Sequence, residues 1–319
     1  VTSVLLAIAA GASLLGVNLR LDEAADVPQV AEAGFGAVRT DLFWNLVERE
    51  PGRYDFSRFD PFMDALRRHR LRPVLILDYG NPLYDGGLAP RTPEARAAFA
   101  RFAAAAARRY AGRDVVWEIW NEPNVAGFWS PRPDAAAYVA LVAETAPVLR
   151  AVDPSGTVAG LSLGGCVWDR DFVRDAFAAG LLHHVDAISL HLYPAPDVEG
   201  AASYFDELRR QMRAAGRERP ILCTEMGTQT HDEARQWEYL SRMTDGNIRS
   251  GVPLTIWYSF RDDDEGHFGM VDRRGHRKLA FYLPRLLPFE PGRNPLPAAP
   301  AAGSPDLLAA PEQCRRPAP

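Results

Sequence analysis

Two glutamates occupy positions from which acid–base chemistry can be done. Glu122 closes the segment Trp117-Glu118-Ile119-Trp120-Asn121-Glu122-Pro123-Asn124, and Glu225 closes Ile221-Leu222-Cys223-Thr224-Glu225-Met226-Gly227. Each comes after a short apolar run, so each stands at the end of a strand and not on a helix face. Two carboxylates aimed at one atom divide the work of breaking an acetal. One protonates the departing oxygen while the other attacks the carbon or directs a water to it. For that, segments a hundred residues apart must be carried to a common rim.

The elements between them supply such a rim. Eight apolar runs recur along the chain: 14–19, 37–40, 73–77, 115–120, 157–161, 187–190, 221–224 and 254–258. Helical periodicity is plain at 59–69, 93–110, 134–151, 170–178, 203–215 and 233–250, with Asp134 and Ser203 placed as N-caps. Strands alternating with helices and apolar throughout mean a parallel sheet covered by helices. An open doubly wound sheet is the rival, but no Gly-x-Gly-x-x-Gly comes after any strand. Eight units point to an α/β fold of the (β/α)8 TIM-barrel kind, a single domain over residues 14–290.

Composition narrows the partners. The 319 residues are 47% apolar and 24% charged, ordinary for a globular chain, and a net charge of −5 has the wrong sign for a protein built to neutralise nucleic-acid phosphates. The three cysteines, Cys166, Cys223 and Cys314, form neither a disulfide framework nor a zinc pattern. Residues 1–13 belong to an almost uncharged run, either a signal remnant or the lead-in to the first strand, and too short for stable membrane insertion. On the first reading the protein is secreted or periplasmic; on the second it can be cytoplasmic. Residues 291–319 are rich in Pro and Ala without apolar periodicity, the composition of a tail.

In a barrel, function lies at the C-terminal ends of the strands. The residues at the ends of the eight runs and just beyond them are polar and aromatic: Asn18; Arg39, Asp41 and Trp44; Asp78, Tyr79 and Asn81; Asn121 and Glu122; Ser162; His191 and Tyr193; Glu225; Trp257 and Tyr258. Eight strands ~4.8 Å apart and tilted ~36° give a radius of about 7.5 Å. Glutamates on strands four and seven then leave about 6 Å between their carboxyls, a value that straddles the spacings of retaining and inverting glycosidases.

These residues carry a resemblance. Trp120-Asn121-Glu122-Pro123-Asn124 after strand four, His191-Leu192-Tyr193 after strand six and Thr224-Glu225 after strand seven resemble the retaining glycoside hydrolases of clan A, and within it family 39. Val38-Arg39-Thr40-Asp41 through Trp44, Glu48 and Pro51–Phe56, and Phe268–Asp272 through Lys278, agree with it. The resemblance implies a β-glycosidase acting by double displacement, with Glu122 as acid and then base and Glu225 as nucleophile. It also implies Arg39 and Tyr193 beside Glu225, Asn121 on the sugar 2-hydroxyl and His191 as a positioning group. Trp257 and Trp44 are expected to offer flat walls to the sugar, and Asp78 and Asn81 further contacts. No cofactor and no metal is implied. Chain length after the barrel is too short for the β-sandwich that β-xylosidases of family 39 carry, which favours endo-action on an exopolysaccharide over exo-action of the β-xylosidase type.

Other readings of the same residues are structural. Glu118 shares the parity of Glu122 and is expected inside the barrel, paired with Arg39. Asp262-Asp263-Asp264-Glu265 reads as a solvated loop in preference to a Ca²⁺ site. Two alternatives to an enzyme of this mechanism remain: a catalytically inert carbohydrate-binding barrel, and a metal-dependent barrel hydrolase, for which no converging ligand set can be assembled.

Overall fold

A computed structural model describes residues 14–164, 169–193 and 197–286. All eight expected strands form: β1 Leu14–Asn18, β2 Ala37–Phe43, β3 Arg72–Asp78, β4 Val116–Ile119, β5 Thr157–Leu163, β6 Ala187–Leu192, β7 Ile221–Met226 and β8 Leu254–Trp257. Each pairs in parallel with its neighbours, and β8 returns to β1 to close the barrel. The chain is a (β/α)8 barrel.

The two-residue period of a strand sorts its side chains into an inner and an outer set. Inside, Ala37, Val74, Val116, Ala159, Ala187, Leu222, Leu254 and Ile256 form an apolar floor. Gly16 completes it, because a Cβ there would stand 2.5 Å from Ile256 Cδ1 and 2.8 Å from the Ala37 carbonyl oxygen. Two residues further along five of the strands the inner set turns polar, with Asn18, Arg39, Glu118, Ser189 and Thr224 all buried. The outer set packs under the helices in one large apolar cluster. At about 1.5–3 kcal/mol per fully buried large apolar side chain, that cluster drives folding and leaves the mouth free to carry polar groups.

The main helices are α1 Val27–Ala33, α2 Asp60–Arg68, α3 Pro93–Tyr110, α4 Ala135–Val152, α5 Arg170–Ala178, α6 Val198–Ala214 and α7 Glu233–Arg249. Asp134 caps α4 as expected, accepting from the Ala137 amide at 2.9 Å. Ser203 is not a cap: α6 starts a turn earlier, where Asp197 accepts from the Gly200 amide at 2.7 Å, and Ser203 donates back to the Glu199 carbonyl from inside the helix. Short α1, closed by Gly34 in the left-handed conformation, was not foreseen, nor was the hairpin pairing Glu48–Glu50 with Arg53–Tyr54. Helix α4 is long and apolar enough to cross a membrane by length and composition, but it packs against α3, α5 and the barrel. The expectations for residues 1–13 and 291–319, and for Cys166 and Cys314, lie outside the described residues. Cys223 is a buried free thiol whose pKa burial pushes up to about 12.

Candidate active site

Arg39 is the centre of the barrel mouth. It enters from β2 with 2% of its surface exposed. Its Nε donates to Glu118 at 2.7 Å, its Nη1 to Glu225 at 2.9 Å, and its Nη2 to the Asn121 side-chain oxygen at 2.8 Å. Burial works to lower the guanidinium's pKa, but Glu118 and Glu225 outweigh that and hold it above its ordinary value. Glu118 points inward as its parity requires. Its other oxygen accepts from the hydroxyls of Ser162 at 2.7 Å and Thr224 at 2.8 Å. Burial works to raise its pKa; Arg39 and these hydrogen bonds reverse the balance and hold it below the ordinary carboxylate range. Glu118 is thus a fully satisfied counter-ion whose work is to fix Arg39.

Glu122 leaves β4 on a sharply turned backbone, with φ of +68° at Trp120 and +46° at Glu122 itself. Left-handed values at non-glycine residues cost energy and persist where the surroundings impose them. Here the turn is clamped to the end of β5. The Glu122 amide donates to the Ser162 carbonyl at 3.2 Å, and Asn124 both donates to the Gly164 carbonyl at 2.8 Å and accepts from its amide at 2.9 Å. A Cβ on Gly164 would fall 1.9 Å from Glu122 Cδ, so the carboxyl occupies the space that glycine leaves open.

His191 joins the two glutamates. Its Nε2 lies 3.3 Å from Arg39 Nη2, which has only protons to give, so Nε2 accepts and the network assigns the ring proton to Nδ1. Nδ1 then donates to Glu122 Oε1 at 2.7 Å, with Glu225 Oε2 3.8 Å away. Those two oxygens are therefore no farther apart than the two legs end to end, roughly 6.5 Å. That bound accommodates the ~5–5.5 Å of a retaining pair and reaches only the lower edge of the ~6.5–9.5 Å of an inverting one.

Glu225 keeps 15% of its side chain open to the mouth. Burial raises its pKa above the ordinary carboxylate range and Glu122 adds to the rise, while His191, Arg39 and Tyr193 oppose it. The Tyr193 hydroxyl is buried beside Glu225 yet short of strict hydrogen-bond geometry. Asn121, held by Arg39, donates from its side-chain nitrogen to the Tyr79 hydroxyl at 2.9 Å. Arg39, Asn121, Glu122, His191, Tyr193 and Glu225 thus come together at the mouth.

Three expected contacts do not. Trp257 is fully buried and its Nε1 donates to the Phe268 carbonyl at 2.8 Å. It belongs to the outer set of β8, against Tyr239 of α7. Tyr258, next in the chain, is the partly open aromatic at the mouth, and its hydroxyl donates to Glu265 at 2.6 Å. Trp44 is fully buried, stacked on Tyr84 with centroids 5.1 Å apart, and its Nε1 donates to Glu48 at 2.6 Å. Asn81 spends its side chain on the backbone, donating to the Glu48 carbonyl and accepting from the Leu83 amide. Asp78 does reach the mouth interior, fully buried. The acidic stretch is an ion-paired loop whose Asp264 and Glu265 are exposed: Asp262 accepts from the buried Lys278, Asp263 from Arg20, and Asp264 pairs with Arg273. Among the described residues no cluster of three His, Cys, Asp or Glu is arranged to hold a metal.

The chain is similar to known proteins in keeping with this site. Residues 10–260 match the model of the cellulase family, glycosyl hydrolase family 5. A β-xylosidase of Geobacillus stearothermophilus is 29% identical over 157 residues, which cover 41% of this chain and 31% of that protein. In solved structures, a family 39 glycoside hydrolase from the gut symbiont Bacteroides cellulosilyticus WH2 superimposes with a TM-score of 0.71 at 23% identity, covering 85% of this chain and 62% of that one. A monomeric β-xylosidase from Caulobacter crescentus CB15 gives 0.70 at 20% identity, covering 86% and 67%. The chain spans about a third of the curated relative and less than two thirds of the first of these structures.

Proposed function

The chain belongs to the cellulase family, glycosyl hydrolase family 5, and we propose that it cleaves a β-glycosidic bond by double displacement with Glu122 and Glu225 as the working pair. One observation carries the reading: His191 lies between the two carboxyls, whose facing oxygens stand within roughly 6.5 Å, a bound that takes in the retaining spacing and only the lower edge of the inverting one, while Arg39 grips one of them alone. Glu225, oriented by Arg39, attacks the anomeric carbon as the bond to the leaving oxygen breaks. Because His191 occupies Oε1 of Glu122, the proton for that oxygen is carried on Oε2. The leaving group departs as an alcohol and Glu225 is left esterified to the sugar. Glu122, now ionised, takes a proton from water, whose oxygen attacks the same carbon and returns Glu225 as a carboxylate. Asn121, fixed by Arg39 and Tyr79, meets the 2-hydroxyl, and Tyr258 offers its ring to the sugar.

The substrate we propose is an exopolysaccharide cleaved internally, and a secreted or periplasmic location goes with it. Long segments after β3, β4 and β8 support a rim that can hold several sugars. The names of the β-xylosidase relatives favour the alternative, exo-action on a chain end. Incubating the protein with aryl β-glycosides and polysaccharides while monitoring the first anomer by NMR tests the mechanism. Retained β-configuration is expected, and inversion overturns it. On a polymer, viscosity falling well ahead of reducing-end release marks internal cleavage; the two moving together marks exo-action.

A further inference from the structure

Two acids on the β2–β3 side of the mouth have no part in that scheme. Asp41 and Asp78 are inner-set residues of adjacent strands, with Asp41 in register with Ile76 and Phe43 with Asp78. The two carboxyls lie on a diagonal one pleat apart, close enough for each to bear on the other's ionisation. Asp78 is fully buried, and neither of its oxygens receives a hydrogen bond from an N–H or O–H among the described residues. Asp41 keeps an open edge to the mouth.

A buried carboxylate without a donor is costly, and two facing each other cannot both ionise. A proton between them resolves both problems. Burial and the adjacent Asp41 push Asp78 well above the ordinary carboxylate range. Burial raises Asp41 as well, though not as far as Asp78, because Arg39 opposes the rise. The proton therefore resides on Asp78, which donates it to Asp41, and the charge resides on Asp41, the member facing the mouth. The other charged groups bearing on the pair are Arg39 and Glu118. All three nitrogens of Arg39 are already committed to Glu118, Glu225, Asn121 and Asn18. A carboxylate on the substrate would find no free partner there.

Resting on the glycosidase reading above, we propose that Asp41 and Asp78 form a proton-sharing pair that recognises the glycone. Asp78 donates to Asp41, whose open oxygen accepts from a sugar hydroxyl, so the site takes a neutral glycone and rejects a uronate.

The test compares wild type with Asp41→Ala and Asp78→Asn on 4-nitrophenyl β-xyloside, β-glucoside, β-mannoside and β-glucuronide, and on monodeoxy analogues of whichever is cleaved. Asparagine at 78 supplies an N–H in place of the shared proton, so that variant loses less of kcat/KM than Asp41→Ala does. Asp41→Ala loses about 10- to 100-fold, the worth of a hydrogen bond to a charged acceptor. One deoxy analogue abolishes that loss, because it lacks the hydroxyl that Asp41 binds. The glucuronide is not cleaved. Asp41→Ala within threefold of wild type, a loss unchanged by every deoxy analogue, or a preferred glucuronide overturns the proposal. Should wild type cleave none of these probes, as an enzyme acting only inside a polymer would, the same variants are read on the polysaccharide it does cleave, and cleavage of no glycoside or polysaccharide is what fails the glycosidase reading. The pair is then judged by infrared spectroscopy at pH 7: a protonated carboxyl band that disappears in Asp78→Asn upholds it, and no such band removes it.

Discussion

Gly164 is the place to move Glu122 without touching any atom assigned to chemistry. A methyl group there would begin 1.9 Å from Glu122 Cδ, while ordinary contact begins at 3.4 Å, so the carboxyl must retreat by about 1.5 Å. That breaks the 2.7 Å bond to His191 and takes Oε2 off the line to the departing oxygen. A displacement of ~1 Å in a positioned group costs about 10²-fold in rate. Gly164→Ala should therefore lower kcat/KM by 10²-fold or more on a glycoside whose leaving group needs a proton. Stability should change little, since Gly164 has an ordinary φ and the group displaced is the end of a flexible side chain beside the open mouth. The assay pairs a methyl glycoside with a 2,4-dinitrophenyl glycoside, whose phenolate leaves unprotonated, and reads the first turnover by its burst. The loss should appear on the first substrate and be nearly absent from that burst. Equal losses on both, or activity within threefold on both in a folded variant, would refute the assignment of Glu122 as acid.

Two other perturbations of the mouth have definite outcomes. Glu118→Gln removes one of the two carboxylates that hold Arg39, leaving Glu225 as its charged partner, and should cost about 1.5–3 kcal/mol, the worth of a hydrogen bond to a charged group, measurable by denaturant unfolding at pH 7. Because the folded pKa of Glu118 is depressed, its contribution is present above the unfolded carboxylate value and lost as pH falls through the folded one. The stability difference between wild type and variant should thus narrow below about pH 4. Tyr258→Ala should reduce kcat/KM with a modest change in melting temperature, whereas Trp257→Ala, deep in the outer layer, should cost about 3–5 kcal/mol of stability; the reverse pattern would restore Trp257 as the sugar wall.

Much of this architecture could be read in the chain because its signals are periodic. Eight apolar runs separated by strand–helix spacings close into one barrel, and parity alone places Glu118 inside beside Arg39. The apolar run alone does not say which of its alternate residues face inward: once Leu254 and Ile256 do, the period puts Trp257 in the outer set and Tyr258 in the inner one. Trp44 lies past the end of β2, where period gives out, and nothing in the string says that Glu48 and Tyr84 capture it. Asn81 looked like a rim ligand because a loop asparagine that satisfies the backbone is identical in sequence to one that meets a sugar. Asp41 was visible only as one polar residue among many. Its importance depends on a diagonal contact with Asp78, set by the β2–β3 register. Gly164 gave no signal, since the space it leaves is defined by a glutamate forty-two residues earlier.

The central claim is the division of labour between Glu225 and Glu122, and azide rescue of Glu225→Ala and Glu122→Ala tests it most directly. With Glu225 removed, azide enters the vacated space and attacks the sugar from the nucleophile's side, so the product should be the α-glycosyl azide. With Glu122 removed, Glu225 still forms the ester on a substrate with an activated leaving group, and azide should displace it to give the β-glycosyl azide. Opposite anomers from the two variants are what the geometry requires. The same anomer from both, or undiminished hydrolysis in Glu225→Ala, would contradict it.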